Sequence, residues 1–180
     1  MSIASCFNYQ GSTAYNNCVA LRFGRKELLY DIQNYAHIEW DATEAENAHS
    51  KHLIADIGEE GNVDRVTRVL DLTVAQVVEM LYPYAKKSVK EHSHRDNELE
   101  EEEEYVIRML VPDSFSETTV TLLEKLIHEL LVCTVLADWF SIVKPNSAET
   151  WAARATTLES EIRRAKNSRS GKLTRKMYPF

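Results

Sequence analysis

Between Leu130 and Val143 only three residues are polar: Thr134, Asp138 and Ser141. They fall at i, i+4 and i+7, one narrow strip of a helix. A helix that is apolar on every other side has to be enclosed by its neighbours. Ser116 is a suitable N-cap, and Lys144-Pro145 is a stop. The pattern therefore predicts a helix over about 117–143 at the centre of a bundle. Leu131, Leu136, Trp139 and Phe140 are its core anchors, each worth about 1.5–3 kcal/mol when fully buried.

The rest of the chain must supply what encloses that helix. With 180 residues there is material for one domain, and only 5 Gly and 4 Pro argue for helices over a many-turned β fold. Leu28, Leu29, Ile32, Tyr35 and Ala36 recur at helical spacing within 25–57. Asp41 and Thr43 interrupt that run, and Thr43 with Glu46 offers a capping box for a second segment whose Leu53, Ile54 and Ile57 face the core. Gly58-Glu59-Glu60-Gly61 ends it, and Asn62 is the expected N-cap of the next helix. There Val63, Val66, Leu70, Val74, Val77, Val78 and Leu81 form one apolar stripe. Asn146 with Glu149 suggests a capping box for a last helix. Its seam of Ala148, Trp151 or Ala152, Ala155, Leu158, Ile162 and Ala165 is narrow enough to pack closely on one neighbour.

One segment departs from helical spacing. Tyr105-Val106-Ile107-Arg108-Met109-Leu110-Val111 is rich in β-formers and stops at Pro112. A lone strand leaves its backbone groups unpaired. Its partner is the N-terminal arm, the segment near residue 95, or another subunit. The expected architecture is mainly α: a bundle of four to five helices with one short strand or hairpin and extended arms at both ends. The divisions are an arm over 1–24, a bundle over 25–168 with an acidic loop at about 92–104 and a strand at about 105–111, and a basic tail over 169–180.

Charge is unevenly distributed. The net charge is −7, yet Arg163–Phe180 carries seven cations and no acid, which leaves −14 for the remainder. Six glutamates crowd Asp96–Glu104, and charges that dense favour a solvated loop. The N-terminal arm is almost uncharged and dotted with Phe7, Tyr9 and Tyr15. Disordered ends are usually poor in aromatics, so this composition suits an arm that docks. The tail joins Arg169, Lys172, Arg175 and Lys176 to a Met177-Tyr178-Pro179-Phe180 tip. A merely solubilising tail has no use for that tip. Cations set beside Tyr178 and Phe180 fit an acidic groove on a partner, or phosphate groups. No uninterrupted apolar run reaches about 18 residues, so no membrane span is expected, and no basic-then-apolar leader opens the chain. Cys6, Cys18 and Cys133 are odd in number without CxxC spacing, so a disulfide framework is not expected and a reducing compartment is.

No catalytic residue, metal or cofactor is expected. Glu46, His49, His52 and Asp56 lie roughly on one helical face, and Glu-x-x-His is half of a di-iron pattern. No second copy exists, and Asn47, Ser50 and Lys51 make this a wet surface. His92 and His94 lie in a charged loop. Cys133 sits in the most apolar helix with nothing nearby in sequence to activate it. His128 and Asp138 are ten residues apart on one helix, too far to hydrogen-bond. Asp138 beside Trp139 calls for a basic partner. GxSxG, GxxxxGK[ST] and GxGxxG are all missing from the sequence.

The second half resembles small proteins of tailed phages and prophages. The resemblance is carried by Tyr105–Pro112 with Phe115-Ser116, Leu126-Ile127-His128-Glu129-Leu130-Leu131-Val132, Leu136-Ala137-Asp138-Trp139-Phe140, Pro145 with Ala148, and the basic end through Pro179-Phe180. It covers about residues 80–180 and is a pattern of hydrophobic and aromatic spacing. The group resembles head–tail connector, or head-completion, proteins. That likeness implies a small helical bundle with extended termini, a homo-oligomeric ring below the portal protein, contacts with tail or neck proteins, and the genomic DNA passing through. It implies a place in the virion neck, assembled in the host cytoplasm, and no enzymatic residues. The acidic run around 96–104 does not match the group. One subunit's acidic run attracting its neighbour's basic tail is an electrostatic expectation that follows. Two other readings are a nucleic-acid-binding module using the tail and a metal-dependent helical enzyme using Glu46, His49 and His52.

Overall fold

A computed structural model of the chain describes residues 17–43, 48–85 and 102–168. The element order is β1 (Asn17–Gly24), α1 (Arg25–Ala42), α2 (Ala48–Ala55), a 3-10 turn (Asp56–Gly58), α3 (Glu60–Met80), β2 (Glu104–Val111), α4 (Glu117–Val143) and α5 (Pro145–Ala165). The protein is mainly α, with five helices and one two-stranded antiparallel sheet among the described residues.

The central helix spans the predicted residues. Leu123, Ile127, Leu130, Leu131, Cys133, Leu136 and Phe140 of α4 are buried, with α1, α3 and α5 around them. By length and mean hydropathy α4 is also long and apolar enough to cross a membrane. The absence of an unbroken apolar run did not anticipate this, because Glu129 and Asp138 interrupt the apolar stretch after Lys125 without lowering its mean hydropathy far. In the fold the bundle buries half of that apolar stretch, and Ile142 stays exposed. α5 folds back antiparallel along it with Trp151, Ala155, Ile162 and Ala165 inward, the small-residue seam expected.

The turn between α4 and α5 is tighter than the sequence suggests. Lys144 alone separates them, and Pro145 occupies the first turn of α5. Pro at N1 needs no N–H donor, so the pair that reads as a stop is also a start. The Asn146 capping box is not used. The expected helix over 25–57 divides as anticipated at Thr43, which caps the end of α1 and donates its hydroxyl to the Glu39 carbonyl at 2.6 Å. Glu46 lies outside the described residues. Asn62 is inside α3, which begins at Glu60. Its side-chain amide donates to the Asp56 carbonyl at 2.8 Å and ties the 3-10 turn to the helix start. Gly58 passes so close to Gln33 of α1 that a Cβ there would meet the Gln33 side chain.

The strand expected over 105–111 is present, and its partner is the end of the N-terminal arm. β1 and β2 pair antiparallel from Asn17 opposite Val111 to Gly24 opposite Glu104. Side chains alternate along β2, with Tyr105, Ile107, Met109 and Val111 buried and the residues between them less so. Leu21 and Phe23 of β1 meet them from across the ribbon. The outer edge of β2 is bonded too, since Leu110 N–H donates to the Tyr84 carbonyl at 2.9 Å. Residues 17–24 are therefore part of the core and not of a free arm.

Cys18 is disulfide-bonded, one bridge where the cysteine count and spacing argue against a disulfide framework. Its partner lies outside the described residues. An odd count does not prevent one bridge, because Cys133 is buried and free. Burial pushes the Cys133 thiol up to about 11, so at neutral pH it behaves as a small hydrophobe.

Candidate functional site: an acid-rimmed groove beside the central helix

Ion pairing between helices sets the surface around the bundle. Arg65 of α3 meets Asp138 of α4 in a two-pronged pair at 2.8 and 3.1 Å. This is the basic partner that Asp138 requires, although it comes from 73 residues away. Both groups are more than a third exposed, so the pair contributes little to stability and instead fixes where two side chains sit. His128, expected to find no partner on its own helix, meets Asp31 of α1 at 2.8 Å. Arg154 of α5 pairs with Glu129 at 2.7 Å and lies near the Tyr35 and Trp151 rings, 6.0 and 5.6 Å from their centroids.

A fourth pair clamps the α4–α5 elbow. Lys144 Nζ donates to Glu39 Oε2 at 2.7 Å and to Thr43 Oγ1 at 2.8 Å, and Ser147 Oγ donates to the same carboxylate at 3.2 Å. Burial pushes the Glu39 carboxyl up, but the Lys144 hydrogen bond and charge, with help from Ser147 and Trp151, outweigh it. Glu39 ends below the usual carboxylate range. A lowered folded-state value means the pair stabilises the fold above the unfolded carboxyl's titration and loses that contribution as pH falls through the folded value. Lys144→Met should therefore cost roughly 1–2 kcal/mol at neutral pH. The gap between variant and wild type should shrink toward acidic pH, where Glu39 protonates; urea titrations between neutral and acidic pH check this.

Beside Arg65 and Asp138 lies the candidate site. The 3-10 turn and the start of α3 stand apart from the end of α4 and leave a groove of about 500 Å³. Leu53, Trp139, Ile142 and Val143 form its apolar wall, and Asp56, Glu59 and Asn62 its polar rim. The indole N–H of Trp139 donates to the Ile54 carbonyl at 3.3 Å, which fixes the ring where it lines the groove. Leu53 is 41% exposed and Ile142 56%. Two large aliphatic side chains facing water at one end of a small bundle, next to two carboxylates, suit a segment that is both apolar and cationic.

Sequence reasoning placed function elsewhere. Phe7, Tyr9, Tyr15, Arg169, Lys172, Arg175, Lys176, Tyr178 and Phe180 all lie outside the described residues. So do most of the acidic run, His92 and His94. At the run's end Glu104 pairs with Arg22 across the ribbon at 2.7 Å, and the Glu103 carbonyl accepts from Arg25 N–H. His52 is exposed on α2, and among the described residues no three His, Cys, Asp or Glu side chains converge as metal ligands. Leu53 was expected in the core and proves half-exposed. Ile142 cannot be told from its buried neighbours by sequence, because a helix apolar nearly all round does not say which side is left open. Comparison of the chain with known protein families, curated proteins and solved structures gives no match.

Proposed function

We propose that this protein is a structural subunit of a tailed-phage neck: a head–tail connector, or head-completion protein, that assembles as a ring below the portal and links capsid to tail. The observation that carries this reading is how the residues bearing the connector-like pattern are arranged. They are β2, α4 and the start of α5, one continuous stretch of chain. In the fold they form its centre, with α5 lying along α4 and β2 closing the ribbon. A second feature supports it. The two ends of the bundle differ, with an acid-rimmed apolar groove near the start of α3 and the cations Arg163, Arg164 and Lys166 at the end of α5. Unlike ends on one subunit favour head-to-tail contacts, and such contacts close into rings when the rotation allows. No step of this reading needs a catalytic group.

The test is assembly. Full-length protein, alone and mixed with a tailed-phage portal protein, should form a ring visible by negative-stain microscopy, with a multimeric mass by light scattering. A chain that stays monomeric with the portal present, at concentrations where portal rings are intact, overturns the reading.

A further inference from the structure

We propose that the groove between the 3-10 turn, the start of α3 and the end of α4 takes the basic C-terminal segment, residues 172–180, of a second copy of this chain. This names the contact surface for the ring reading above and rests on it for its biological setting.

The chemistry of the two surfaces matches. The groove offers Leu53, Trp139 and Ile142 as apolar wall with Asp56 and Glu59 at its rim. The segment offers Lys172, Arg175 and Lys176 followed by Met177, Tyr178 and Phe180. Cations at the rim and aromatic side chains on the wall satisfy both at once, whereas a purely basic or purely apolar occupant would leave one half unmet. Arg65 does not repel the cations strongly, because the Asp138 carboxylate bonded to its Nε and Nη2 offsets its charge.

Geometry selects a second copy over the same chain. Lys166 Nζ donates to the carbonyls of Met80 and Tyr82, at 2.6 and 3.0 Å, so α5 ends beside the end of α3. The groove lies at the other end of α3, about 30 Å away for a helix of that length. Twelve residues follow Ser168. Fully extended they span at most about 40 Å, so reaching their own groove would use nearly all of them and leave few to lie in it. A neighbour stacked head to tail has no such shortfall.

The test uses a fluorescent peptide of residues 169–180 and the full-length protein, diluted until light scattering reports a monomer; should a ring persist on dilution, excess peptide should instead break it up. The peptide should bind saturably and weaken several-fold between 50 and 500 mM salt, as screening predicts. Ile142→Arg, at an exposed position that leaves the helical circular dichroism unchanged, should weaken binding at least ten-fold. A peptide carrying Tyr178→Ala and Phe180→Ala should lose binding to a similar degree. Undiminished binding to Ile142→Arg would place the tail elsewhere, such as the acidic run, and overturn the proposal. So would binding seen only when the full-length protein itself carries Tyr178→Ala and Phe180→Ala, since its own tail would then be the natural occupant. Peptide binding with no ring formed, even with portal present, would sink the ring reading and leave the groove assignment standing.

Discussion

Phe140→Ala should lower the free energy of unfolding by about 3–5 kcal/mol. Phe140 is fully buried near the end of α4, with its ring centroid 6.4 Å from that of Trp151. Trp151 in turn meets Tyr35 edge-on at 5.2 Å. Removing one ring leaves a cavity at the point where α1, α4 and α5 meet, and the elbow formed by Lys144 cannot easily close it. A small domain has only about 5–15 kcal/mol in total, so the variant should keep its fold with little margin. Its urea midpoint should fall steeply with the slope unchanged. Ile142→Ala, two residues along the same helix, should change stability by less than about 0.5 kcal/mol, because that side chain is mostly in water. Equal effects at the two positions would show that α4 is not enclosed as described.

The contrast between Phe140 and Ile142 also marks the boundary of what the sequence makes legible. Periodicity locates α4 and the seam of α5 because both are decided by burial, and burial leaves a period. The stripe of α3 is largely right for the same reason, although Thr67 and Thr73, which it does not include, are buried beside it. Each hides its hydroxyl by donating to a carbonyl four residues back, Val63 for Thr67 and Val69 for Thr73, which makes threonine behave as a small valine on that face. Helix starts were less legible. Glu59, Lys144 and Gly24 precede their helices without any side-chain cap, so the expected caps at Asn62 and Asn146 had no sequence signal to compete with except position. The groove was not legible at all. It depends on Arg65 finding Asp138 and on which side of an almost wholly apolar helix stays uncovered, and both are decided between elements far apart in the chain.

Ile107→Asn should cost about 4–5 kcal/mol, from lost apolar burial and an amide left without a partner. The neighbouring Arg108→Asn should cost less than about 0.5 kcal/mol. The difference follows from the ribbon. Ile107 is buried opposite Leu21, while Arg108 stands opposite Ala20 on the other face. Because successive side chains in a strand point to opposite faces, slipping the register by one residue would exchange the buried set for the outward one. The same alternation should recur in β1, with Leu21→Asn as damaging as Ile107→Asn and Ala20→Asn tolerated. Urea denaturation of these four variants reads the pattern directly. Matching alternation in two strands more than 80 residues apart in sequence can arise only if they share one buried face. That pairing excludes the segment near residue 95 and another subunit as the partner of β2 along this edge. It also fixes where the chain enters β1: at Asn17, opposite Val111, at one end of the ribbon. Equal sensitivity at residues 107 and 108 would mean β2 is buried on both faces, and the ribbon would then be an inner layer.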